Sequence, residues 1–194
     1  MNHIEAIEAG FSDNISLNEI ARKIYLSYPT KAFIGNEESE FQILNEISRF
    51  FDIPITSVQI AGSAKTGRSF YQQTDFIAGI SDLDVAIIEP RLFLKYSEIV
   101  FRESKGYSNQ SIFPLKNGKR LYSEYGRYLM RGIFRPDLMP TGPERAKIRD
   151  FFGKLSVRHS MLFCNINAAI YQSEFFFECK QRSAIKNYFD KKAG

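Results

Sequence analysis

Two aspartates separated by one residue lie at the start of an apolar run in the middle of the chain. Asp82 and Asp84 stand in the sequence SDLDVAII, which has the composition of a buried β-strand. Because side chains alternate along a strand, both carboxylates are predicted to lie on the same face, with their Cα atoms about 6 to 7 Å apart. Two carboxylates so placed repel each other, and burial adds a desolvation cost. A divalent cation bound to both would remove these costs, so the pattern predicts a Mg²⁺ or Mn²⁺ site.

A glycine–serine step ends the preceding apolar segment, TSVQIAG, and suits phosphate binding. Gly62 has no side chain to obstruct a phosphate group, and the Ser63 hydroxyl and the amides that follow can donate hydrogen bonds to its oxygens. Lys65 and Arg68 come next, and we expect their long cationic side chains to be exposed and able to contact phosphate. Alternatively, Lys65 and Arg68 are simply the charged residues of a loop exposed to solvent.

The combination of these motifs resembles the polymerase β nucleotidyltransferase superfamily. Its signature is an apolar strand ending in Gly-Ser, a spacer with a glycine, and Ser-Asp-x-Asp at the start of a second apolar strand. The resemblance covers residues 38–104, together with a third strand near 161–170. It implies that Gly62 and Ser63 bind the phosphates of a nucleoside triphosphate such as ATP, and that Ser81 also belongs to the nucleotide-binding residues. It further implies that Asp82 and Asp84 are the catalytic and metal-binding residues.

The resemblance implies an enzyme that transfers a nucleotidyl group from a nucleoside triphosphate, with Mg²⁺ or Mn²⁺, to a hydroxyl group. The acceptor is a nucleic acid, a protein or a small molecule, and the sequence does not select among them. Superfamily members of this size include toxin–antitoxin components and tailoring transferases. The nucleotide, the acceptor and the oligomeric state therefore stay open at the level of sequence.

One part of the superfamily pattern is missing from the sequence. Active members take a third carboxylate from the next core strand, but the candidate strand, 163–170, carries Asn165 and Asn167 at its alternating polar positions. Asparagine is uncharged and cannot accept a proton near neutral pH. The other acids considered for this role are Asp137, Glu174 and Glu178.

Two further hypotheses therefore stand beside the enzyme. The first is a catalytically silent module that keeps the fold and a nucleotide- or partner-binding groove but lacks the third carboxylate. The second is a purely structural role for Asp82 and Asp84, as caps or as ion-pair partners of Lys65 or Arg68.

The spacer between the two motifs is longer than in the smallest superfamily members. It includes Phe70, Tyr71 and Phe76. These aromatic residues predict either a lid over the nucleotide base or an extra helix packed on the core.

The composition of the chain is that of a globular protein. The chain has 194 residues, 44% hydrophobic and 25% charged, as in a globular protein, and its net charge of +4 agrees with a phosphate-bearing ligand. The first residues lack the features of a signal peptide, and no apolar stretch approaches the roughly 20 residues that span a bilayer. We therefore expect a cytoplasmic protein that does not associate with membranes. We also expect the thiol of Cys164 to be buried, because this residue lies in an apolar run.

Several other kinds of site are excluded by the sequence. The segment GSAKTG lacks the Gly-Lys-Ser/Thr ending of a P-loop, and there is no Gly-x-Ser-x-Gly elbow of a serine hydrolase. His3 and His159 are the only histidines and lie in no cluster, which argues against zinc. The segment FRPDLMP, with its Arg135 and with Arg131 shortly before it, could bind phosphate, although a turn held by an Arg–Asp pair is the simpler interpretation.

The apolar periodicity predicts an α/β (α+β) fold in which a small mixed sheet is flanked by several helices. We expect one domain over 1–194, with a core at 38–104, a helical insertion at 105–155, and a third core strand and last helix within 160–190. Phe41 and Phe175 are predicted to face the core from their helices. Helices are predicted from Ser16 and at 38–51, 91–104, 119–130, 143–152 and 172–189, with strands at 56–62, 83–88 and 161–171.

Overall fold

The amphipathic and apolar segments form eight α-helices and six strands within residues 2–193, the part of the chain that the computed structural model describes. In these residues no helix combines the length and the apolar character needed to cross a membrane. The elements are α1 (His3–Ser12), α2 (Leu17–Arg22), α3 (Glu37–Phe51), β1 (Val58–Ala61), α4 (Gly62–Thr66), β2 (Leu83–Ile88), α5 (Pro90–Glu103), β3 (Leu115–Lys116), β4 (Lys119–Arg120), α6 (Tyr122–Leu129), β5 (Ile133–Phe134), α7 (Pro143–Arg158), β6 (Ile166–Tyr171) and α8 (Glu174–Ala193).

Four strands form the central sheet, in the order β1-β2-β6-β5. β1 is antiparallel to β2, β2 is parallel to β6, and β5 is antiparallel to β6. The hairpin of β3 and β4 forms a second sheet and turns at Asn117 and Gly118, both with the positive φ that a two-residue hairpin turn favours. This architecture confirms the predicted α+β class, a small mixed sheet flanked by helices.

Helices cover both faces of the sheet, because its two central strands are apolar on both sides. On one face, Val85 and Ile87 of β2 belong to a buried cluster with residues of α3, α5 and α7. On the other face, Ala86 and Tyr171 are buried with residues of α2 and α8. Asp84 shares the face of Ala86 because side chains alternate along the strand. It therefore stands where apolar packing on this second face ends.

Most elements lie where the sequence predicts them. β2, α3 and α5 match their predicted positions closely, whereas β1 is shorter than the predicted strand at 56–62 and β6 begins at Ile166 instead of residue 161. The Ser16 hydroxyl caps α2 by accepting a hydrogen bond from the Glu19 amide at 3.2 Å. Three elements, α1, β5 and the β3–β4 hairpin, were not predicted from the sequence. Helix α7 was predicted to end at Phe152 but continues to Arg158.

Three predictions of burial are wrong. Phe41 of α3 is 53% exposed, because Ile43, Ile47 and Phe51 form the face that this helix buries. Phe175 of α8 is 65% exposed, because the buried residues of α8 begin at Phe177. The Cys164 thiol is exposed, because this residue lies before β6 and outside the packed strand.

Candidate functional site

The end of β1 brings the glycine–serine step against Asp84. Ala61 at the end of β1 is in register with Asp84 on β2, and Gly62 turns away from the strand into α4 with φ of +65°. A Cβ atom on Gly62 would lie 2.2 Å from Asp84 Oδ2, closer than any side chain allows. Glycine is therefore required here by both the backbone conformation and the neighbouring carboxylate.

Asp82 is held by the chain segment that leads into β6. The Asn165 side-chain amide donates a hydrogen bond to Asp82 Oδ1 at 3.1 Å. Backbone bonds from the Leu83 amide to the Asn165 carbonyl, at 2.8 Å, and from the Cys164 amide to the Ser81 carbonyl, at 3.0 Å, keep the two segments side by side. Asp82 is therefore positioned at the start of β2, next to the face that carries Asp84.

The two carboxylates lack a fixed positive partner. Among residues 2–193, no Lys, Arg or His nitrogen lies within 4 Å of either carboxylate. Asp84 is open to solvent within a cavity, but the surrounding protein still raises the pKa of its carboxyl, and the charge of Asp82 adds to this effect. Arg135 and Lys180 lie close enough to oppose the rise in this pKa. Among residues 2–193 the pair thus has no ion-pair partner, and a cation bound to both carboxylates would neutralise their charge.

Lys65 is not the exposed residue that the sequence predicts. Its side chain is 5% exposed, and its ammonium group donates a hydrogen bond to the Tyr28 carbonyl at 2.7 Å. Burial lowers the pKa of Lys65 to about 8. The reason is that α4 packs against the turn Lys31–Phe33, which places Lys65 beneath the N-terminal segment and away from Ser63.

Arg68 instead stabilises the spacer. Its guanidinium donates hydrogen bonds to Asp75 Oδ1 at 2.9 Å and to the Gln73 carbonyl at 2.8 Å. Since Lys65 bonds Tyr28 and Arg68 bonds Asp75, the hypothesis that these two cations pair with Asp82 and Asp84 is wrong.

The aromatic residues of the spacer have different environments. Phe70 is buried against Tyr188, with ring centroids 5.1 Å apart. Tyr71 is 52% exposed, and the Lys180 ammonium lies 4.9 Å from its ring centroid. The only helix in the spacer is the short α4, which ends at Thr66 before these aromatic residues, so they do not form the predicted extra helix.

One cavity of about 1170 Å³ collects most of the predicted site residues. Its volume lies slightly above the usual range for small-molecule sites, which is roughly 300 to 1000 Å³. Lys65 is the one predicted site residue that does not line it. The predicted site residues that line the cavity are Gly62, Ser63, Arg68, Ser81, Asp82 and Asp84.

An asparagine lies at the strand position where the resemblance implies a third carboxylate. Asn167 on β6 is the direct partner of Asp84 on the parallel neighbour β2. Within the described part of the chain, no group of three or more Asp, Glu, His or Cys residues is arranged to hold a metal ion.

The other acids considered for this role have different surroundings. Asp137 lines the cavity but is paired with Arg135 at 2.6 Å, as the Arg–Asp interpretation of FRPDLMP predicted. Glu178 is buried and paired with Arg22, and Glu174 is exposed at the start of α8.

Several cationic residues of the cavity were not assigned to it from the sequence. Arg135 follows β5, Arg145 and Arg149 lie one turn apart on α7, and Lys180 lies on α8. Their positions in the sequence give no indication that they share one cavity, since only the folded chain brings β5, α7 and α8 to the same end of the sheet. The available signals were the excess of Lys and Arg in the second half of the chain and the possible phosphate contact of Arg135 in FRPDLMP.

No match to this chain was found among protein-family models, curated proteins or solved structures. The resemblance to nucleotidyltransferases therefore depends on the two motifs alone. The geometry adds that both motifs line the same cavity.

Proposed function

We propose that this protein binds a nucleoside triphosphate with Mg²⁺ or Mn²⁺ and transfers its nucleotidyl group to a hydroxyl acceptor. The observation that carries the proposal is the contact between the glycine–serine step and the aspartate pair in one cavity. Gly62 lies against Asp84, and Ser63, Ser81 and Asp82 line the same space. Backbone amides and hydroxyls for phosphate therefore adjoin carboxylates for a cation.

The residues present fit a divalent cation. Mg²⁺ prefers oxygen ligands and is commonly held by one or two carboxylates together with the phosphates of its substrate. Asp82 and Asp84 supply two carboxylates without an ion-pair partner among the described residues. When bound, the cation supplies positive charge to neutralise the phosphates and the two carboxylates.

The reaction has a simple balance of bonds. The acceptor oxygen forms a bond to the α-phosphorus, the bond between the α-phosphorus and its bridging oxygen to the β-phosphate breaks, and pyrophosphate leaves with the electron pair. The hydroxyl proton is released to water, since Asn167 stands where a third carboxylate would accept it. Gly62 and Ser63 orient the phosphates for this displacement.

Incubation with labelled nucleoside triphosphates, Mg²⁺ or Mn²⁺ and candidate acceptors tests the activity. We expect labelled product with the wild-type protein and its loss in Asp82→Ala and Asp84→Ala. Asp190→Ala is the matched control, because Asp190 is an exposed acid on α8 outside the cavity. Equal signal in all variants, or no signal in any, would remove the catalytic proposal.

Asn167 favours a second candidate, a nucleotide-binding module without catalysis. In that case Mg²⁺ and the triphosphate bind, and the bound state serves to control a partner. Calorimetry together with the transfer assay separates the two candidates. Binding that depends on Asp84, with no product from any acceptor, supports the silent module, whereas product formation supports the enzyme.

A further inference from the structure

Three arginines lie on the side of the cavity formed by β5 and α7. We call Arg135, Arg145 and Arg149 the arginine cluster; all three line the cavity that contains Asp84. Asp137 lies beside them and is the acid to which Arg135 is paired.

Asp137 organises two of the three guanidinium groups. Arg135 donates from Nε to Asp137 Oδ1 at 2.9 Å and from Nη2 to Oδ2 at 2.6 Å, and its guanidinium lies 5.1 Å from the ring centroid of Tyr128. Arg145 donates to the backbone carbonyl of Asp137 at 3.0 Å. The single carboxylate is thus occupied by Arg135, while Arg145 donates only to neutral acceptors, this carbonyl and the Thr141 hydroxyl at 3.5 Å.

Arg149 adds charge that nothing nearby neutralises. It lies one turn after Arg145 on α7, and among residues 2–193 no carboxylate lies within 4 Å of either guanidinium. Burial and the neighbouring charge of Arg149 both lower the pKa of Arg145. The arginine cluster therefore holds like charges together at the wall of a cavity, an arrangement that an anion would stabilise.

The arginine cluster and the glycine–serine step lie on opposite sides of Asp84. In the sheet order β1-β2-β6-β5, Gly62 follows β1 and Arg135 follows β5, so three strand spacings separate them. This corresponds to roughly 14 Å. Asp84 and Asn167 lie between the two. A nucleotide held at Gly62 and Ser63 therefore leaves the arginine cluster facing a second molecule.

We propose that the arginine cluster binds a phosphate group of the acceptor, so that the acceptor of the nucleotidyl group is a phosphate-bearing molecule. The assignment to an acceptor rests on the proposed function, whereas phosphate binding by the cluster does not. Asp137 acts as a positioning residue that holds the planar guanidinium of Arg135 ready for bidentate contact with phosphate oxygens. An acceptor without a phosphate group would leave the positive charge of the arginine cluster without a negatively charged partner.

The experiment measures phosphate binding while the nucleotide site is filled. The probes are inorganic phosphate, ribose 5-phosphate and the dinucleotide UpU, titrated by calorimetry into protein saturated with Mg²⁺ and α,β-methylene-ATP. We expect at least one probe to bind and its affinity to fall roughly tenfold in Arg149→Ala and in Arg135→Lys. Arg102→Ala removes the same charge from an exposed position on α5 outside the cavity and should leave binding unchanged.

The outcomes are distinct. No binding of any probe, or equal affinity in Arg149→Ala and the wild type, overturns the inference. If Arg149→Ala weakens binding of the ATP analogue as strongly as it weakens binding of the probe, the arginine cluster binds the triphosphate. The assignment of the cluster to an acceptor is then wrong. If the ATP analogue does not bind but the probe still binds through Arg149, the proposed function fails while the phosphate site stands.

Discussion

Asp84 on β2 and Asn167 on β6 are direct partners across two parallel strands. This pairing places a carboxylate and a neutral amide side by side where a two-metal site would have two carboxylates. The amide oxygen of Asn167 can accept a hydrogen bond or contact a cation, but it contributes no charge. We therefore expect the site to hold one divalent cation with Asp82 and Asp84.

Replacing Asn167 by aspartate should create a second metal site. Asn167→Asp adds a carboxylate adjacent to Asp84, which supplies the missing charge for a second cation bridging to the substrate phosphates. We expect one Mn²⁺ per chain in the wild type with α,β-methylene-ATP and two in the variant, counted by electron paramagnetic resonance.

The control for this experiment adds the same charge elsewhere. Asn109→Asp lies outside the cavity and should leave the Mn²⁺ count at the wild-type value. Two Mn²⁺ ions already present in the wild type, or no change in Asn167→Asp, would show that Asn167 does not set the number of metal ions.

Gly62→Ala should disturb both stability and the metal site. The new Cβ atom would lie 2.2 Å from Asp84 Oδ2, and the backbone φ of +65° is unfavourable for alanine. Gly118→Ala is the matched control, because Gly118 has φ of +74° but its new Cβ atom would have no other atom within 4 Å. We expect the control to lower the free energy of unfolding by about 1 kcal/mol and Gly62→Ala to lower it by more.

Urea denaturation measures this difference, and calorimetry with Mg²⁺ and ATP measures its effect on binding. Gly62→Ala should also weaken nucleotide binding because Asp84 must move to relieve the clash. A loss of stability equal to that of Gly118→Ala, with unchanged nucleotide affinity, would contradict the close contact between Gly62 and Asp84.

Lys65 should make stability depend on pH in the alkaline range. Its pKa is lowered from 10.5 to about 8, because burial disfavours the charged form. Between these two values the unfolded chain binds more protons at Lys65 than the native protein, so stability rises with pH. The rise is complete near pH 10.5 and amounts to roughly 3 kcal/mol.

Comparison with Lys65→Met isolates this contribution from other groups that titrate in the same range. The free energy of unfolding of the wild type, relative to that of Lys65→Met, should increase from pH 8 to pH 10.5. A difference between the two proteins that stays constant or decreases over this range would show that the Lys65 ammonium is not buried as described.

The sequence was sufficient to predict the parts of the fold that depend on local patterns. β1, β2 and β6 are short apolar segments bounded by glycine, proline or polar residues, and each forms a strand. Alternation along the third strand also marked Asn165 and Asn167 as its polar positions, and both side chains are exposed. These predictions succeeded because a strand's faces follow directly from the order of its residues.

The predictions that are wrong or missing concern features that tertiary contacts decide. Helix α3 has apolar residues on more than one face, and the neighbours of Ile43 and Ile47 decided that Phe41 stays exposed. β5 has only two residues and forms because β6 provides its pairing partner. Lys65 is buried because a distant N-terminal segment packs over α4.

The most direct test of the account is calorimetric titration of ATP into the protein in the presence of Mg²⁺, repeated without Mg²⁺ and with Asp84→Asn. We predict binding by the wild type that requires Mg²⁺ and weakens at least about tenfold in Asp84→Asn. Asp190→Asn, on the exposed surface of α8, should bind as the wild type does. Absence of binding, or equal affinity in the wild type and Asp84→Asn, would contradict a nucleotide site built on Gly62, Ser63 and the aspartate pair.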